Sequence, residues 1–117
     1  MSVESTDKII DQLYEVICDR RDNPGPNSYV SSLFQKGSDQ ILKKVGEESC
    51  EVLLTAKNND SPALIHELAD LTFHLLVLLV EYNIPPSAIK YELKCRLGTS
   101  GLVEKTNRSN FWKPGVF

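Results

Sequence analysis

Apolar residues recur three and four positions apart through most of the chain, the period of helices with one buried face. Ile9, Ile10, Leu13, Val16 and Ile17 form the first stripe and predict a helix from about Thr6 to Arg21, with Thr6 or Asp7 as N-cap. Asn23-Pro24-Gly25-Pro26-Asn27 ends it, because two prolines around a glycine cannot continue helical hydrogen bonding. Ser28 then caps a short helix carrying Tyr29, Val30, Leu33 and Phe34, which stops near Gly37. A longer helix over Asp39 to Lys57 has Ile41, Leu42, Val45, Val52, Leu53 and Ala56 as its apolar set. Asn58-Asn59-Asp60 turns the chain, and Ser61-Pro62 reads as an N-cap followed by proline at the first helical position. The next helix runs from Pro62 to about Tyr82 and is apolar on nearly every side from Leu71 onward. That pattern implies burial all round. One small protomer hardly supplies it, so part of this helix is expected to face a second chain. After the break from Asn83 to Pro86, a last helix reaches about Leu97, with Ile89, Leu93 and Leu97 inward and Gly98 as its stop. No strand period or repeat is present. The expected fold class is all-α: four main helices and a short one, a bundle completed by homodimerisation.

The chain has 117 residues, which fits one domain over 1–117 with 99–117 as an irregular C-terminal tail. Its 41% hydrophobic and 25% charged residues are those of an ordinary globular protein. A net charge of -3 argues against broad nucleic-acid binding, which leaves a basic footprint. Cys18, Cys50 and Cys95 are odd in number and widely spaced, the pattern of buried thiols in a reducing compartment. The polar N-terminus lacks the apolar segment of a signal peptide, and the apolar run Leu71–Val80 is too short to span a bilayer. The expectation is a cytoplasmic protein.

The chemistry lies in two acidic patches, Glu47-Glu48-Ser49-Cys50-Glu51 and Glu67-Leu68-Ala69-Asp70. Residues three apart share a helix face, so Glu48 pairs with Glu51 and Glu67 with Asp70. Two antiparallel helices joined at Asn58-Asn59-Asp60 bring these four carboxylates face to face. At roughly 100° per residue, Glu48 falls beside Ile41, Val45 and Val52, with Glu51 about 60° away and Glu47 about 40° further. Glu67 and Asp70 share a stripe with Ala63, His74 and Leu78. Converging half-buried carboxylates repel one another unless a cation intervenes, and an all-oxygen donor set suits magnesium, with manganese as a substitute. Lys43 and Lys44 are the structural alternative, neutralising the charge without metal. His74, four residues after Asp70, either orients it by hydrogen bonding or is a satisfied core histidine. His66 is assigned to another side of the helix, with a structural role. Gly46 admits close packing or close approach of a ligand. Lys36, Lys43, Lys44, Arg96, Lys105 and Arg108 are candidate phosphate contacts. No P-loop, dinucleotide fingerprint or Ser/His/Asp order accompanies them.

The pattern EExxE followed by ExxD on two helices resembles the all-α MazG-like nucleotide pyrophosphohydrolases. A longer likeness runs through Ser28-Tyr29-Val30-Ser31-Ser32-Leu33-Phe34, Lys36-Gly37, Ile41-Leu42-Lys43-Lys44-Val45-Gly46-Glu47-Glu48 and His66-Glu67-Leu68-Ala69-Asp70-Leu71 with Phe73-His74. Together with Arg96-Leu97-Gly98, Ser100-Gly101 and Glu104-Lys105, it is similar to the phosphoribosyl-ATP pyrophosphohydrolases of histidine biosynthesis over roughly Leu13 to Arg108. The resemblance implies hydrolysis of the α–β phosphoanhydride of phosphoribosyl-ATP, in a standalone form without a cyclohydrolase domain. For that reaction the residues themselves suggest magnesium held by Glu48, Glu51, Glu67 and Asp70, with Glu47, rotated away from the main ligands, to orient or deprotonate the attacking water. The segment Ser109 to Phe117 matches nothing in that family. Two other readings remain: a pyrophosphohydrolase of ordinary or damaged nucleoside triphosphates, and a noncatalytic helical interaction module.

Overall fold

A computed structural model describes residues 5–97; the expected stop at Gly98, the tail 99–117, Lys105 and Arg108 lie outside the described residues. Five α-helices and no strand occur among the described residues: α1 (Ile9–Asp22), α2 (Tyr29–Lys36), α3 (Ser38–Ala56), α4 (Ser61–Glu81) and α5 (Pro86–Arg96). The all-α expectation holds, with helix boundaries shifted by a few residues. α1 begins three residues later than its stripe suggested, after Lys8, whose side chain makes no capping bond. Ser28 caps α2 as expected, accepting from the Ser31 amide at 3.1 Å. Asp60 rather than Ser61 caps α4: its carboxylate accepts from the Ala63 amide at 3.1 Å, which leaves Ser61 and Pro62 inside the first turn. An Asp one residue before the Ser-Pro pair competes for the same free amides, and its anionic oxygen is the stronger acceptor at a helix N-terminus.

The turns use residues that tolerate left-handed backbone. Gly37 sits between α2 and α3 at φ 97°, where a side chain is strained, and Asn59 closes the α3–α4 turn at φ 53°. Because that turn is short, α3 and α4 lie back along each other and form the most extensive helix pair of the chain. α1 packs against α2 and α4, and α2 against α3. The tertiary contacts divide the chain into two units, Met1–Pro86 and Ser87–Phe117.

Within the first unit one core joins four helices: Ile17 of α1, Leu33 of α2, Ile41 of α3, and Leu76, Val77 and Val80 of α4. Two polar fastenings complete it. The buried Ser31 hydroxyl donates to the Arg20 carbonyl at 2.9 Å and accepts from the Gly25 amide at 3.2 Å, tying the Pro-Gly-Pro loop to α2. Arg21 donates to the Val80 carbonyl and the Asn83 side chain, each at 2.9 Å, satisfying the end of α4.

The stripes read from sequence are wider than the buried surface. Ile9, Val16, Leu42 and Leu75 stay exposed, and Leu53 remains 68% exposed. Ile65, on the same helix as the core residues of α4, is 67% exposed. In the second unit Ile89, Leu93 and Leu97, expected inward, are exposed as well. A cylinder of this radius has only part of its circumference covered by the neighbours one short chain provides. By length and composition α4 is apolar enough to cross a bilayer, unlike the shorter run considered from sequence, yet its second half carries the core of the first unit. Of the three thiols, Cys18 is half-buried, while Cys50 and Cys95 are exposed rather than buried. Ile17→Ala, in the fully buried centre, should cost about 3 kcal/mol, and Asp60→Ala about 1 kcal/mol. Urea unfolding followed by circular dichroism measures both; equal costs would displace Ile17 from the centre of the core.

Candidate active site

The burial pattern of α3 and α4 places the acidic residues. On α3 the less exposed positions include Ile41, Lys44, Val45, Glu48 and Val52; on α4 they include Ala63, Leu64, Glu67, Asp70, Leu71 and His74. Each series advances by three or four residues and marks the face each helix turns toward its neighbours. Glu48, Glu67 and Asp70 therefore lie on the inward faces of the chain's most extensive helix pair. Glu47 and Glu51 are exposed beside them.

On α4, His66, Glu67 and Asp70 offer ligand atoms that all lie within 4.8 Å of one another. His66, assigned from sequence to another side, is Asp70's neighbour: its Nε2 stands 3.5 Å from Asp70 Oδ2. Four residues advance a helix by 400°, only about 40° beyond a full turn, so the two share a face. Glu47, Glu48 and Glu51 are not part of that group. Glu48, with its side chain 13% exposed, is paired instead with Lys44 one turn before it, Nζ to Oε1 at 3.4 Å. A half-buried carboxylate needs such a countercharge when no other cation is present. Lys44 thus supplies the neutralisation that the sequence offered as its structural alternative.

Of the two readings of His74, the satisfied core histidine is the one the structure matches: the ring is buried and both nitrogens are bonded. It bonds the main-chain carbonyl of Asp70, at 2.8 Å from Nδ1, and not the carboxylate. Its Nε2 lies 2.8 Å from the hydroxyl of Tyr29, the first residue of α2. Tyr29 lies where the fields of both acidic helices overlap. Burial raises the pKa of its phenol; Lys44 pulls it down, while Glu48, Asp70 and Glu47 push it up, leaving it raised overall. Carboxylates of α3 and α4 therefore act on one hydroxyl at the N-terminal end of α2. Lys44 is also raised: partial burial lowers it, but Tyr29, the hydrogen bond and charge of Glu48, and the charge of Glu47 outweigh that.

The other candidates are more scattered. Lys36 and Lys43 are exposed on α2 and α3. Arg96, in the second unit, donates to Glu92 one turn earlier at 3.1 Å. A Cβ added at Gly46 meets open space among the described residues, so packing between them does not require glycine there. Tyr29 and His66 are the members that sequence reasoning missed. The i,i+4 spacing to Asp70 was a sufficient signal for His66. Tyr29 meets His74 across 45 residues of chain, and no local period encodes such a contact.

The donor set fits a hard divalent cation. Glu67 and Asp70 present carboxylate oxygens in mutual reach with His66 beside them, while Glu48, on the inward face of the neighbouring helix, is ion-paired with Lys44.

The sequence profile described as phosphoribosyl-ATP pyrophosphohydrolase matches residues 10–96, which include Glu47, Glu48, Glu51, Glu67 and Asp70. A phosphoribosyl-ATP pyrophosphatase of Geobacter sulfurreducens is 48% identical over 103 residues, 88% of this chain and 95% of that protein. The enzyme of the same name from Leuconostoc mesenteroides is 53% identical over 96 residues, 82% of this chain and 83% of the relative. That of Clostridium botulinum is 52% identical over 88 residues, 75% and 80% of the two chains.

Both raised groups are better protonated when folded, so their stabilising contribution is complete below their ordinary values near pH 10 and fades as pH climbs through the raised ones. Alkaline melting of the native protein should thus fall more steeply above about pH 10 than that of Tyr29→Phe, which removes one raised group and one cause of the other's rise. Parallel thermal curves for the two from pH 8 to 11.5 would remove the Tyr29–Lys44 pair from this role.

Proposed function

The chain belongs to the phosphoribosyl-ATP pyrophosphohydrolase family, and from that premise we propose that it hydrolyses phosphoribosyl-ATP to phosphoribosyl-AMP and pyrophosphate in histidine biosynthesis. The observation that supports this most is the family match running unbroken from α1 through α5, with all five acidic residues inside it. It crosses the division at Pro86, so we take the whole chain as one catalytic domain. The proposal places the enzyme in the cytoplasm.

The roles follow from chemistry and placement. Glu48, Glu51, Glu67 and Asp70 are the proposed ligands of magnesium, for which manganese can substitute. When bound, the ion supplies positive charge against the phosphate oxygens of the substrate and the departing pyrophosphate. Glu47, exposed and turned from the inward face, is left free to orient or deprotonate the attacking water. Lys44, already held beside Glu48, presents an ammonium to phosphate where the carboxylates stand. Lys36, Lys43, Arg96 and Lys105 are proposed as further contacts for the substrate's anionic groups.

The homodimer belongs to the same proposal. Leu42 and Leu53 on α3, and Ile65, Leu68 and Leu75 on α4, are large aliphatic side chains left exposed by a single protomer. Exposed aliphatic side chains of this kind are what a second copy of the chain would cover. Gly46, with open space where a Cβ would sit, lies on the same helix as two of them.

Purified protein should convert phosphoribosyl-ATP to phosphoribosyl-AMP with stoichiometric pyrophosphate, lose activity in chelator, and leave plain ATP almost untouched. Chromatography of products distinguishes the outcomes: orthophosphate as the first product contradicts the bond assignment, and equal turnover of ATP moves the enzyme to the broader nucleotide pyrophosphohydrolases. In the metal-free protein, Glu67→Gln or Asp70→Asn should raise the melting temperature while abolishing its increase on adding magnesium. Leu75→Glu should shift sedimentation from dimer to monomer at micromolar concentration. A native protein that sediments as a monomer there would remove the dimer from the proposal.

A further inference from the structure

His74 is 5% exposed, yet both its ring nitrogens are engaged by groups from different helices. The Asp70 carbonyl can only accept, so the proton of the neutral ring resides on Nδ1, which donates to it. Nε2 is left with a lone pair, and the Tyr29 hydroxyl is then the donor at 2.8 Å. One directed chain results: Tyr29 O–H to His74, and His74 N–H to the Asp70 main chain. The ring is also held edge-on by its aromatic neighbours, Phe73 at 5.2 Å and 87° and Tyr29 at 5.8 Å and 82°. Within α4 the Asp70 carbonyl is positioned to take the amide of residue 74, so the imidazole occupies its second lone pair and braces that turn from outside the helix.

A tyrosine serving only as packing has no need of this arrangement. Tyr29 is 50% exposed, and a phenylalanine would keep its contact with Phe73, centroids 6.4 Å apart. What the hydroxyl adds is a fixed link between the capped start of α2 and the turn that carries Asp70. Partners that orient a ligand from outside the coordination sphere influence affinity and activity by about 10–100-fold in metal sites generally.

We propose that Tyr29, acting through His74, is a positioning residue for the α4 carboxylates, fixing the turn from which Asp70 and Glu67 project. The proposal rests on the reading of Asp70 as a ligand of the divalent ion. Tyr29→Phe retains the ring and removes only the donor. It should fold, keep the KM for phosphoribosyl-ATP within about threefold, and lower kcat about tenfold. Calorimetry with magnesium alone should show its affinity reduced several-fold. Unchanged kcat and magnesium affinity in Tyr29→Phe would overturn the proposal, as would a loss explained wholly by a lower melting temperature. The native protein provides a test independent of any variant: with histidine labelled by nitrogen-15, His74 should appear as the Nδ1–H tautomer with Nε2 accepting a hydrogen bond. An Nε2–H tautomer overturns the directed chain. Asp70→Asn separates the two levels of the argument. If it binds magnesium normally, the ligand assignment fails; if it does not, and Tyr29→Phe does, only the positioning role fails.

Discussion

One rigid helix has to carry two kinds of surface that solvent treats oppositely. The second half of α4 supplies Leu76, Val77 and Val80 to the core, and its first half sets Glu67 and Asp70 on the same inward side. Helical periodicity makes this unavoidable, since residues 67, 70, 74 and 77 advance by three and four and share one stripe. The face that gains most from leaving water therefore continues into carboxylates that lose most by it. The rest of the first unit accommodates that conflict. α3 packs along α4 and brings Glu48 to the junction, α2 brings Tyr29, and Lys44 provides the countercharge.

On the proposed reading, the charges at this junction suit binding. Lys44 pairs with Glu48, and among the described residues His66 stands beside Asp70, an imidazole that is cationic only when protonated. Glu67 and Asp70, in mutual reach, are the oxygen donors that a hard divalent ion would take. A cluster fully paired within the chain would be less able to take up metal and phosphate.

For the proposed ligands, being held in place is a separate problem from attracting an ion. Carboxylates on long side chains lose rotamer freedom when they coordinate, and a well-ordered backbone beneath them limits that loss. The path from Tyr29 through His74 to the Asp70 carbonyl gives the backbone a second support beyond helical hydrogen bonding. Because its first link originates on α2, the geometry of the acidic turn depends on a helix that contributes no carboxylate to it. Ser28, which caps α2, and Ser31, which fastens it to the Pro-Gly-Pro loop, thereby bear on the site as well.

The sequence by itself determined the helices and the chemistry each carries. Period, proline and glycine placement and capping residues are local properties, so all five helices were legible within a few residues, and spacing alone put Glu67 with Asp70 on one face. The i,i+4 pairs Lys44–Glu48 and His66–Asp70 were equally encoded there, although His66 was assigned elsewhere. Sequence could not decide which part of each apolar stripe is covered: Ile17 is fully buried while Val16 and Leu53, in the same kind of pattern, are not. Coverage depends on neighbours contributed by distant segments. The same reason hid the partnership of Tyr29 with His74. Helical period is a property of consecutive residues, but which atoms meet across 45 of them is settled only when the helices pack.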